Sequence, residues 1–202
     1  MRVLIFSFFF VFYASGQQGE VLVIGNHERV CFGHSQLIEL SDSLPDSLDK
    51  YGAILLFSNA SSQLNKTHLN RLVSFVEDGG GLYTGAENWP MQAESNQITE
   101  HLFKKESYGN YTENSAEVSS TEGNLDLHEL ESIPTGVTAV AFPLDYRLHV
   151  EAWVGDQALI LSGDVGEGRI IIDGGYSRFY CEQRTSLTDV LLYKILMYLL
   201  GD

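Results

Sequence analysis

Cationic side chains are scarce in this 202-residue sequence, with 12 Lys and Arg against 27 Asp and Glu and a formal net charge of -15. Nucleic acid and anionic membrane surfaces are held through cationic contacts, so this balance argues against both as partners. It suits a solubilising acidic surface. Calcium is the other use for such charge, but no Asp-rich loop has calcium-ligand spacing. Long apolar runs are also missing. The stretch Val3 to Tyr13 is too short to span a bilayer comfortably. Cysteine is limited to Cys31 and Cys181.

The usual signatures of catalysis and nucleotide binding are absent as well. No Gly-x-Ser-x-Gly marks a serine nucleophile on a strand-to-helix turn, and no Gly-Lys-Ser/Thr closes a phosphate-binding loop. The triple glycine Gly79-Gly80-Gly81 follows a helical pattern and precedes a strand, the reverse of a dinucleotide fingerprint. His27 and His34 lie seven residues apart on a loop, unlike the His-Glu-x-x-His helix that fixes two zinc ligands on one face. We therefore expect neither cofactor nor metal.

What is present begins with Arg2, the apolar run and the small residues Ala14-Ser15-Gly16, the three-part layout of a secretory signal peptide over residues 1–16. Removal near Gly16 would leave a mature chain from about Gln17 with no membrane insertion; a short first strand or an uncleaved anchor is the alternative reading. Length and 44% hydrophobic content suit one domain over 17–202. Asn59-Ala60-Ser61, Asn65-Lys66-Thr67 and Asn110-Tyr111-Thr112 are N-glycosylation acceptor patterns. Chance would supply about one, from ordinary residue frequencies. Their excess agrees with the leader, and together they favour a secreted or extracellular protein, eukaryotic rather than bacterial.

The apolar runs Glu20–Gly25, β-branched and closed by glycine, and Tyr51–Phe57 read as buried parallel strands. Ser35 to Leu40 reads as a short helix, and 41–50 as a connector. Between Asn65 and Pro90 lies the organising stretch: an apolar set at Leu69, Leu72, Val73 and Val76 with helical spacing, the triple glycine, a strand at Leu82-Tyr83, then Gly85-Ala86-Glu87-Asn88-Trp89-Pro90. Ile98, Leu102 and Phe103 give another short helix. Residues 105–123 are acidic and Ser/Asn-rich, and read as an exposed insertion. Val137–Phe142, Leu148–Trp153 and Ala158–Leu161 read as strands, the middle of the group antiparallel. Gly168–Ile172 forms the last core strand. A helix starts near Ser186, with Asp189 as its capping-box partner, and runs to Leu200 as a packed core helix; a membrane anchor is the weaker reading.

The strand ending in Phe57, the following helix, and Phe75-Val76-Glu77-Asp78-Gly79-Gly80-Gly81-Leu82 with its small-residue turn resemble the class I glutamine amidotransferase-like, flavodoxin-like superfamily. The resemblance is to its noncatalytic or reassigned branches, the trehalose-utilisation-like proteins and the domain shared by gliding-motility and intraflagellar-transport proteins. It covers about Glu20 to Pro90 and, more loosely, Ile160 to Gly201. It implies an α/β fold of three layers, with a mostly parallel sheet and antiparallel edge strands. True amidotransferases place a cysteine in the turn after the strand, where this chain has Ala86 and Glu87, so that activity is not carried over.

In a parallel sheet the loops after the strands converge on one rim, where ligands bind. The binding candidates there are His27, His34, Glu87, Asn88, Trp89, Asp173, Tyr176 and Arg178. Glu87 reads either as a ligand anchor or as an acceptor of backbone N–H groups at a helix start. Asp173 and Arg178 read as ligand contacts or as a structural ion pair bracing Gly174-Gly175. Cys31 and Cys181 follow the first and last strands, so both fall on the same edge and could pair in an oxidising compartment; a free thiol nucleophile is the competing reading. The expected function is a module binding an unidentified protein or carbohydrate. A hydrolase or carbohydrate-processing enzyme using the same rim is the alternative. An enzyme should show an open pocket with His and acid groups close together, and a module should show them dispersed or paired.

Overall fold

A computed structural model describes residues 19–32, 37–119 and 123–201. The expected signal peptide, residues 1–16, and His34 lie outside the described residues. The chain runs β1 (Glu20–Gly25), β2 (Ile38–Ser41), β3 (Tyr51–Phe57), α1 (Lys66–Glu77), β4 (Gly81–Gly85), α2 (Ala93–Phe103), β5 (Tyr108–Tyr111) and β6 (Ser115–Val118). It continues through β7 (Ser132–Pro134), β8 (Ala139–Ala141), β9 (Leu148–Val154), β10 (Gln157–Val165) and β11 (Gly168–Asp173). Two short 3-10 turns, Tyr176–Phe179 and Cys181–Gln183, precede α3 (Ser186–Leu200).

Nine strands form one mixed sheet in the order β2-β1-β3-β4-β11-β10-β9-β6-β7, and β5 pairs with β8 beside it. The half from β2 to β11 is parallel. From β10 to β7 every pairing is antiparallel. The central parallel strands are buried along nearly their whole length, as their unbroken apolar runs require when both faces are covered. One face packs Leu72 and Val76 of α1 and Ile98 and Phe103 of α2. The other packs Leu191, Ile195 and Leu199 of α3.

The register fixes where the parallel strands stop. Gly25 pairs with Phe57, Phe57 with Gly85, and Gly85 with Asp173, so these four strand ends form one row across the sheet. The loops after β1, β3, β4 and β11 therefore leave from a common border.

Local chemistry explains the helices. The Asn65 side chain accepts from the His68 N–H and caps α1, and Leu72, Val73 and Val76 bury its apolar stripe. Each such side chain contributes about 1.5–3 kcal/mol when fully buried. Gly79, at φ +113°, ends the helix in a conformation that disfavours L side chains. At Gly81 a Cβ would sit 2.4 Å from the Leu199 carbonyl oxygen, so glycine allows the end of α3 to approach the sheet.

Several sequence expectations need correction. Ile38–Ser41 is a strand, not helix, because a short segment gains more from the β1 ladder than from nucleating a helix. The acidic stretch 105–123 carries β5 and β6, and Ala116 is buried where β6 joins β7 and β9; edge pairing supplies the order that apolar content could not. The capping box of α3 uses Thr185 and Thr188, while Asp189 pairs with Arg184. This helix is not packed all round, since only its sheet-facing side is covered and Leu187, Val190 and Tyr193 remain exposed. No helix among the described residues is long and apolar enough to cross a membrane.

Candidate functional site

Asp173, the last residue of β11, is fully buried and its carboxylate is fully engaged. Oδ2 accepts from the Tyr83 hydroxyl at 2.8 Å and from Arg178 Nη1 at 2.9 Å, while Oδ1 accepts from the Gly175 N–H at 2.9 Å. Arg178 Nη2 donates to the Thr135 carbonyl at 3.1 Å. Arg178 is also fully buried, so Asp173–Arg178 is an internal ion pair tying the Gly174-Gly175 turn to the loop before β8. Burial, and next the Asp173 charge, push the Tyr83 phenol well above its ordinary range. A Cβ on Gly174 would lie 1.8 Å from the Val140 carbonyl oxygen, so only glycine admits this close approach.

Glu87 sits two residues beyond β4 and is 4% exposed. Its Oε1 accepts from the Ser177 N–H at 2.7 Å, at the first turn of the 3-10 segment, and its Oε2 accepts from Thr138 Oγ1 at 2.6 Å. It accepts a backbone N–H at a helix start, but that start is the 3-10 segment of residues 176–179 and not the helix that follows Glu87 in the chain. Desolvation raises its pKa, and the bonds from Ser177 and Thr138 oppose that rise. Thr138 Oγ1 is also 2.8 Å from Asn88 Oδ1. One hydroxyl proton cannot serve two acceptors, so either the Asn88 amide turns its NH2 toward Thr138 or Glu87 carries a proton.

Tyr176 is fully buried. Its hydroxyl donates to the Ser58 carbonyl and accepts from Asn26 Nδ2, both at 2.9 Å, and burial raises its pKa. Its ring meets those of Phe57 and Tyr180 edge-on. His27 is half-buried, with Nδ1 2.8 Å from the Gly25 carbonyl, and that contact makes Nδ1 the protonated nitrogen. Trp89, in contrast, is 78% exposed. Below it the turn is pinned, with Glu87 N–H donating to Met91 O and Met91 N–H donating to Asn88 O.

Cys31 and Cys181 form a disulfide, with their Cα atoms 4.9 Å apart. The backbone brings them together: Cys31 N–H donates to Phe179 O at 3.0 Å and Cys181 N–H to Arg29 O at 2.8 Å. This overturns the free-thiol reading. Beside the bridge the Arg29 guanidinium stacks over the Tyr180 ring at 4.3 Å and pairs with Glu182.

The structure thus gathers Glu87, Asn88, Asp173, Tyr176 and Arg178 at one border, yet mostly bonds them to one another or to backbone. A cavity of about 1080 Å³ opens at the opposite edge of the sheet, by Lys50, Tyr51, Arg71 and Gly80. Neither it nor two smaller hollows includes a rim candidate. Among the described residues no group of three or more His, Cys, Asp or Glu could hold a metal ion.

Sequence reasoning missed Tyr83, Thr135, Thr138 and Ser177. Tyr83 had a usable signal, since a phenol in a strand buried on both faces needs a polar partner. Ser177 lies between two rim candidates, Tyr176 and Arg178, and only its backbone role was missed, whereas Thr135 and Thr138 lie in a segment whose position in space no local pattern specifies. Of the acceptor asparagines, Asn65 caps α1 and Asn110 is exposed on β5, whereas half-buried Asn59 donates from Nδ2 to Glu94 at 3.0 Å.

No protein-family model matches the chain, and no curated protein matches it in sequence. Solved structures do. A ThuA-like protein from Bacteroides uniformis shares 13% identity, with 94% of this chain and 94% of that one covered at a TM-score of 0.61. The N-terminal domain of mmIFT52 shares 10% identity at a TM-score of 0.65, covering 89% and 97%. A β-galactosidase from Bacillus circulans shares 13% identity at 0.59, where this chain spans 91% of itself but 30% of the enzyme. These likenesses establish a ThuA-like, amidotransferase-like α/β fold.

Proposed function

We propose that the chain is a secreted, noncatalytic member of the amidotransferase-like group, a single flavodoxin-like domain of three layers that binds a protein or carbohydrate ligand at its strand-end rim. The observation that carries this reading is the turn after β4. Where amidotransferases place their cysteine this chain has Ala86 and Glu87, and the Glu87 carboxylate is held by Ser177 and Thr138. Most polar groups of the rim are spent on internal bonds. Among the described rim candidates Trp89 is the most exposed, on a turn whose backbone is bonded from below, and an exposed aromatic there is a suitable contact for a sugar face or a protein surface.

The test separates a module from an enzyme. The secreted protein is assayed for ammonia release from glutamine and for hydrolysis of chromogenic glycosides, and the same preparation is applied to a panel of immobilised neutral glycans. The expected result is no turnover above blank, with any glycan retention lost in Trp89→Ala. Turnover that disappears in Glu87→Gln would overturn the module and install the hydrolase reading.

A further inference from the structure

The three acceptor asparagines are not equivalent once folded, and the difference rests on what each side-chain nitrogen does. Asn59 stands at the exit of β3, and buried Glu94, 1% exposed, reaches across to it from the first turn of α2. Among the described residues no cation pairs with Glu94. Its carboxylate is supported by three N–H donors: Asn59 N at 2.7 Å, Asn59 Nδ2 at 3.0 Å and Gln63 N at 2.9 Å. The Asn59 carbonyl in turn accepts from Ala93 N–H at 3.3 Å. A glycan on Asn59 Nδ2 would replace one of its two hydrogens inside this half-buried clamp and crowd the three donors off a buried carboxylate, and leaving such a group short of donors is costly.

Asn65 divides its amide differently. Its Oδ1 accepts the His68 N–H at 2.9 Å and caps α1, while Nδ2 stays on the exposed side, 3.4 Å from the His68 ring. A sugar on that nitrogen leaves the capping oxygen in place. Asn110 is exposed in β5, within the irregular register between Tyr108 and Tyr111, and its acceptor threonine Thr112 is exposed as well.

We infer that the folded, secreted protein carries N-linked glycans at Asn65 and Asn110 and none at Asn59. Because the sugar is added before folding is complete, the selection acts afterwards: a chain modified at Asn59 cannot close the Glu94 clamp and is held back with misfolded material. The inference rests on the secreted reading proposed above.

The full chain, leader included, is expressed in cultured animal cells and recovered from the medium. Enzymatic release of N-glycans in heavy-oxygen water converts each glycosylated Asn to a labelled Asp, read by peptide mass spectrometry. Label is expected at Asn65 and Asn110 and not at Asn59. In agreement, Thr67→Ala and Thr112→Ala each remove one glycan step in the gel mobility of the secreted protein, the double variant removes both, and Ser61→Ala leaves that mobility unchanged. Label at Asn59 in secreted protein, or secreted protein without label at Asn65 or Asn110, overturns the inference and leaves secretion standing. An unlabelled chain retained inside the cell overturns both.

Discussion

Glu87 and Ser177, 90 residues apart in sequence, are joined by a 2.7 Å bond from the Ser177 N–H to the Glu87 carboxylate. The turn after β4 is thereby fastened to the turn after β11, and Thr138 fastens the loop before β8 to the same carboxyl group.

The burial of Glu87 makes stability depend on pH in a defined sense. Its folded-state pKa is raised above the ordinary 4.5, so the folded chain binds this proton more tightly than the unfolded one. The Glu87 contribution is then fully present below the unfolded pKa and is lost as pH rises through the folded one. Glu87→Gln keeps an acceptor for Ser177 and carries no charge, so it should flatten that decline. Glu87→Ala leaves two donors unsatisfied and should cost about 1–3 kcal/mol. Urea unfolding of both variants across pH 4 to 8 reads the slopes; a Gln variant as pH-dependent as the parent would remove Glu87 as the source.

Breaking the Asp173–Arg178 pair from one side should be severe. Arg178→Met leaves a buried carboxylate with only Tyr83 and Gly175 as donors, and about 3–5 kcal/mol of stability should go, as for other buried pairs that lose one partner. Tyr83→Phe removes one neutral donor and should cost nearer 1 kcal/mol. Denaturant midpoints compare the two, and equal losses would contradict the charge argument.

The disulfide closes a separation of 150 residues. Replacing both cysteines with serine should lower unfolding free energy by about 2–5 kcal/mol, the usual loss for a native bridge. Unfolding of the oxidised, reduced and double-serine proteins should place the last two together. If reduction left the midpoint unmoved, the bridge would contribute nothing to stability.

At the start of α3 the capping residues should matter more than the nearby charge. Thr185→Ala removes the acceptor for Thr188 N–H and should cost about 1 kcal/mol. Asp189→Ala removes an exposed ion pair with Arg184 and should cost about 0.5 kcal/mol or less. Thermal unfolding ranks them, and the reverse order would return the capping role to Asp189.

The parallel half of the fold was legible because its information is local. The runs at Glu20–Gly25 and Tyr51–Phe57 announce strands buried on two faces, and the apolar set after Thr67 with the glycines from Gly79 announces α1, although the cap itself is Asn65. Even the common border was legible, since the handedness and direction of strand–helix–strand units follow from few rules. β2 and β6 were not. Their order comes from neighbouring ladders, and the four residues of Ile38–Ser41 have no period long enough to outvote a helical reading. The rim shows the same division. Asp173, Arg178, Glu87 and the neighbouring Ser177 could be placed there by topology, but the partners Thr135 and Thr138 come from a loop whose approach only the folded chain determines.

The bridge between Cys31 and Cys181 also turns most of the described chain into a covalent ring. A protease that cuts once inside it, for instance in the exposed strand around Asn110, yields two pieces that remain one molecule. Nicked protein would migrate as intact on a gel run without reductant, and would separate into fragments only once the sulfurs were parted.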